Sequence, residues 1–118
     1  MKTSPLGEHI KELLEPMPVR VKGMFSGFGV YRGDVMFGLI AEEELYFKVD
    51  ETNQPDYERE GCEPFCYGGN GHRLVKLPYW RVPEALFDDA LEFSAWAEKA
   101  YAVAVAHYKP KKSRKKKA

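Results

Sequence analysis

Cys62, Cys66 and His72 are the residues whose types come nearest to a metal site, because thiolate and imidazole both suit zinc. A closed zinc site needs four such ligands in a tetrahedron, and here a pair of cysteines with three residues between them has one histidine nearby. His9 and His107 fall near opposite ends of the chain, and there is no second cysteine pair. Cys66 therefore reads as a small apolar residue on a strand, and Cys62 as a half-exposed loop thiol. A redox role for the pair would require a lowered thiol pKa, which nothing in the sequence indicates. Hydrolytic chemistry fares no better: the only serines are Ser4, Ser26, Ser94 and Ser113, and none sits in a nucleophile elbow. The run from Gly27 to Gly33 lacks the Lys-Ser/Thr ending of a phosphate loop and leads into a strand, where such loops need a helix N-terminus. Its glycines read as backbone freedom at a bend in a sheet. The acidic groups Glu42-Glu43-Glu44 and Asp88-Asp89 stand at a turn and a helix start, where carboxylates serve solubility and the helix dipole. No catalytic residue, metal ligand or cofactor is assigned, and the chain is not expected to be an enzyme.

Binding has better candidates. Tyr79, Trp80 and Arg81 lie between Pro78 and Pro83, an aromatic pair with an adjacent guanidinium on a segment read as rigid and irregular. That composition suits an interface hot spot, although Trp80 would equally plug the sheet against the last helix. The second candidate is the end of the chain. Lys109, Lys111, Lys112, Arg114, Lys115, Lys116 and Lys117 supply seven of the 18 basic residues. Without them, 11 basic residues face 18 acidic ones, so the formally neutral protein is a body of net charge −7 with a basic tail. Only the tail would attract a phosphate backbone, and it contains no aromatic residue for base stacking.

These residues must be positioned by a small core. At 118 residues with 44% apolar and 14% aromatic content, one folded unit is expected, over residues 1–108, with 109–118 a disordered tail. No run approaches the ~20 apolar residues of a membrane span. The start of the chain lacks a signal-peptide apolar region, so a cytoplasmic location is expected. Ser4-Pro5 resembles a helix start, and Ile10, Leu13 and Leu14 form one apolar face before Pro16 and Pro18. From Val19 the pattern alternates with Arg20, Val21 and Lys22, and three or four antiparallel strands follow through Val49. Asn53 to Gly61 reads as a short helix, and Gly68 to Gly71 as a hairpin turn between two strands. From Glu84 to about His107, Leu86, Leu91, Phe93, Trp96, Ala97, Ala100 and Val103 mark a long helix that Asp88-Asp89 interrupts near its start. The fold class is α+β: a two-layer domain with an antiparallel sheet of about five strands and helices packed on it.

Four segments in order resemble the TfoX N-terminal domain family. They are Met24 to Tyr31 with its Met-Phe and glycine-rich turn, Val35 to Ile40, Leu45 to Asp50, and the Pro-Tyr-Trp segment from Leu77 to Pro83. Ser26 stands where many relatives have another glycine. The resemblance runs from about Met24 to Ala104 and implies no active site. It implies instead a regulatory, protein-interaction role, as in the Sxy/TfoX competence regulators, transcription co-activators that carry a second, C-terminal domain where this chain has its lysine-rich tail. The leading expectation is a regulatory module with a protein partner, compatible with a homodimer and with a link to transcription. The alternatives are nonspecific nucleic-acid binding through the tail and, behind it, a small metal or thiol protein.

Overall fold

The alternation beginning at Val19 becomes a ladder of antiparallel strands in the computed structural model, which describes residues 5–15, 17–24, 27–69 and 72–108, with backbone alone at 24, 67–69 and 72–76. Ser4, Pro16, Phe25, Ser26, Asn70, Gly71 and the tail from Lys109 lie outside the described residues. Four strands form a meander: β1 (Arg20–Met24), β2 (Gly27–Arg32), β3 (Val35–Ala41) and β4 (Glu44–Lys48). β5 (Pro64–Gly69) and β6 (His72–Arg81) form a hairpin whose second strand pairs with β4. The sheet therefore has six strands in the order β1-β2-β3-β4-β6-β5, one more than expected. The segment around Tyr79 was expected to be irregular. It is the end of β6, pairing with Tyr46, Phe47 and Lys48 of β4.

Helix α1 (Pro5–Leu14), helix α2 (Gln54–Arg59) and helix α3 (Ala90–Ala106) make the second layer. The last helical region is split where the acidic pair suggested: a 3-10 turn, Glu84–Asp88, precedes α3, and Asp89 caps α3 by accepting the Glu92 amide at 3.2 Å. That start sets the phase of the helix. Phe93, Ala97, Ala100 and Ala104 face the sheet, their three alanines allowing close approach. Leu91 lies about 200° around the helix from Phe93 and is exposed, contrary to the expected stripe. Phe47 stands at the centre of the core, with Phe37 and Phe93 rings 6.0 Å and 5.7 Å away. Among the described residues, no helix is long and apolar enough to cross a membrane.

The short α2 is held by its ends. Gly61, at φ 74, closes a Schellman motif: the Cys62 amide donates to the Tyr57 carbonyl at 3.0 Å and the Gly61 amide to Glu58 at 3.0 Å. Inside the motif Tyr57 is buried, with its ring 4.7 Å from that of Trp96. Its hydroxyl has no hydrogen-bond partner among the described residues, and burial pushes its pKa up. Tyr57→Phe removes an unsatisfied donor, so denaturant unfolding is expected to show unchanged stability or a gain of up to about 1 kcal/mol.

An ion pair and a carboxylate–imidazole contact tie this helix and its neighbouring turn to α3 and its C-cap. Asp56 meets Lys99 at 2.7 Å and Arg59 at 2.6 Å, and Asp50 meets His107 at 3.0 Å. The Lys99 ammonium, then Arg59, hold the Asp56 carboxyl below its ordinary value, while hydrogen bonds from Thr52, then from His107, do so for Asp50. Both carboxyls have folded pKa values below 3.8, so their contribution is complete above that value and lost as pH falls through the folded pKa. A thermal-midpoint series from pH 6 to pH 2 is expected to fall less steeply below pH 4 in Asp56→Asn than in the parent.

The hairpin joining β3 and β4 is strained. Ala41 pairs with Glu44, leaving Glu42 and Glu43 as its two loop residues at φ 53 and 64. Such a turn prefers Asn-Gly, because a side chain in the left-handed region crowds its own carbonyl. Glu42→Asn with Glu43→Gly is expected to stabilise the protein by about 1–2 kcal/mol, read as a higher denaturant midpoint at constant slope.

Candidate functional site

The alternation of β6 separates the three residues of the expected hot spot. Trp80 turns inward, beside Phe47, and is buried. Tyr79 and Arg81 turn to the opposite face, where they pair with Lys48 and Tyr46. Along β4, Leu45 and Phe47 are buried under the helices, whereas Tyr46 and Lys48 are half-buried on the other side. Continuing through the register places Tyr46 beside Leu39, Leu39 beside Gly29 and Gly29 beside Lys22. A second row runs Arg20, Tyr31, Met36. An irregularity between Val30 and Tyr31 makes Phe37 the extra residue of β3, so Met36 keeps to the open side while Phe37 enters the core.

The helices that contact the sheet do so through the buried side: α3 packs on β3 and β4, α1 packs on α3, and α2 reaches α3 through Tyr57 and Asp56. The opposite face thus presents Tyr31, Tyr46, Phe65 and Tyr79 with Arg20, Lys22, Lys48 and Arg81. Arg20 and Lys22 lie 5.2 Å and 6.0 Å from the Tyr31 ring, and Lys48 lies 5.2 Å from that of Tyr79. Tyr46 and Phe65 meet edge to face at 5.0 Å. Burial, then the nearby Tyr31, push the Tyr79 hydroxyl up to about 12. Burial lowers the pKa of Lys48, and burial followed by Glu44 raises that of Tyr46. Glu44 is the sole acidic residue within the six strands, and it stands at the start of β4.

Clefts also open at the edges of the sheet. One of about 660 Å³ lies between the end of β4, α2, β6 and the end of α3, lined by Lys48, Asp50, Glu58, Trp80 and His107 among others. Two of its carboxylates are already engaged: Asp50 accepts from the Thr52 amide at 2.8 Å, and Glu58 from Gln54 at 2.9 Å. The cysteines exchange the environments expected of them. Cys62 is buried, with its thiol pKa raised by burial, while Cys66, on β5, is exposed. Among the described residues, no three His, Cys, Asp or Glu side chains are grouped to hold a metal. The His72 side chain lies outside the description.

The model of the TfoX N-terminal domain matches residues 12–104. The chain belongs to that family. None of the curated proteins matches the chain at a significant level. In this TfoX N-terminal domain, the Pro-Tyr-Trp segment is the end of the fifth strand in sheet order, β6: its Trp joins the core and its Tyr reaches the open face. Sequence patterning had singled out Tyr79 and Arg81, but not Tyr31, Lys48, Arg20 and Lys22 as their companions. Their shared face follows only from the register of β1 to β6.

Proposed function

We propose that this TfoX N-terminal domain is a regulatory interaction module that acts by binding, without a catalytic step, and that its working surface is the open face of the sheet. The observation that carries this reading is the packing of all three helices to one side, which leaves four aromatic and four basic side chains, among those described, together on the other. Large aromatics and arginine are the side chains that dominate binding energy where they are buried by a partner. The family's competence regulators make transcription the natural setting. The lysine-rich tail adds nonspecific attraction to nucleic acid.

A tagged pull-down from native lysate tests the surface, comparing full-length protein with Tyr79→Ala/Arg81→Glu, each with and without nuclease. Circular dichroism confirms that the variant is folded. Loss of the associated components from the folded variant supports the open face as the working surface. An unchanged set of components with the variant overturns it.

A further inference from the structure

The lysines and arginines whose side chains are described fall into two groups. Lys11, Arg32, Arg59 and Lys99 each have a carboxylate within 4.0 Å, and they lie on or against the helical layer. Arg20, Lys22, Lys48 and Arg81 all lie on the open face, and none has a carboxylate partner among the described residues. In a body with an acidic excess, unmatched cations confined to one surface mark where a polyanion can approach. Glu42, Glu44 and Glu63 act electrostatically on Tyr46, so the favourable tract is the other row, from Arg20 through Tyr31 towards Lys48 and Tyr79.

Aromatic rings stand between those cations. Arg20 and Lys22 flank Tyr31, and Lys48 flanks Tyr79. A strand that rests a base on either ring brings its phosphates beside a positive charge. Unpaired bases can do this whatever their sequence, because every base has a π face. In a duplex the bases are stacked on each other and a sheet face of this kind has nothing to stack on. A lipid surface or an inorganic polyanion would use the cations but leave the rings without a role.

Resting on the reading of the open face as the working surface, we propose that its occupant is a single-stranded nucleic acid, held by base stacking on Tyr31 and Tyr79 and by phosphate contacts from Arg20, Lys22 and Lys48. Binding is salt-sensitive and largely sequence-independent. It differs from attraction by the tail, which has no rings and draws any polyanion.

The test uses the full chain and a full-length variant in which Lys109, Lys111, Lys112, Arg114, Lys115, Lys116 and Lys117 are all glutamine. The probe is a fluorescently labelled twelve-nucleotide oligothymidylate, with inorganic polyphosphate and a duplex of the same length as competitors. The tail-neutral protein is expected to retain oligothymidylate binding that neither competitor matches. Tyr31→Leu/Tyr79→Leu should weaken it about tenfold or more, while Tyr31→Phe/Tyr79→Phe keeps it, since phenylalanine preserves the stacking surface. Lys22→Gln should reduce the salt slope by roughly 0.7. If the leucine pair fails to fold, the phenylalanine pair and the salt slope of Lys22→Gln in the tail-neutral background still decide the matter. Binding that vanishes with the tail, or that polyphosphate or duplex displaces equally well, overturns the proposal. A nuclease-resistant protein partner lost from Tyr79→Ala/Arg81→Glu, with no oligothymidylate binding, would leave the open face as the working surface and reject only the nucleic acid.

Discussion

Gly27→Ala is expected to lower stability by about 3 kcal/mol or more. A Cβ at residue 27 would collide with the Ile40 carbonyl oxygen, a backbone atom of the neighbouring strand. No rotamer change relieves such a contact, since an alanine methyl has no rotamer and the opposing atom belongs to the ladder. The strands must separate where Gly27 pairs with Ala41, disturbing the pairing that sets the register of β2 against β3. Glycine here is required by the close approach of a backbone, whereas Gly33 has open space around it and is required by its φ of 64. Urea unfolding checks the difference. A loss below about 0.5 kcal/mol for Gly27→Ala, the scale of an ordinary surface change, would contradict the packing described.

Asn53→Ala is the second large effect, about 3 kcal/mol, from two backbone groups that each cost about 1–3 kcal/mol when left unsatisfied. Asn53 is buried, and its side chain takes the Asp50 amide at 2.9 Å and gives a hydrogen bond to the Lys48 carbonyl at 3.1 Å. It thereby completes the end of β4 and turns the chain into α2, within five residues of the Lys48 that the open face uses. Asn53→Asp keeps the acceptor but places carboxylate oxygen against the Lys48 carbonyl, and it should be about as damaging at neutral pH. Unfolding midpoints of both variants, with hydrogen exchange at the Asp50 amide, measure the effect. Exchange unchanged at Asp50 would mean that the side chain does not hold the turn.

Much of the fold is legible because short-range patterns dictate it. Val21 between Arg20 and Lys22 shows a half-buried strand, Gly61 the end of a helix, and Asp89 the break before α3. Three features depend on longer range. The placement of β6 between β4 and β5 is a choice of strand neighbours, which alternation within one strand cannot express. The burial of Cys62 rather than Cys66 follows from the turn after α2 folding Cys62 back onto Tyr57. Asn53 was read as a helix-start residue, and its role as a buried bracket for β4 depends on a carbonyl five residues earlier. The candidate surface was legible at Tyr79 and Arg81 for their types and flanking prolines. Its other half, Tyr31 with Arg20 and Lys22, carries no such local signal, and only the register brings those residues into line with Lys48 and Tyr79.

The position of Arg20 and Lys22 has one more consequence. They belong to β1, which ends the sheet on one side and offers unpaired backbone groups to any passing chain. Positive charge along an outermost strand is one of the means by which proteins discourage that kind of edge-to-edge joining. The two residues therefore also help to keep molecules of this protein apart, and neutralising both together should favour aggregates at high concentration. Single replacements are the sounder probes, and light scattering shows whether each variant remains dispersed.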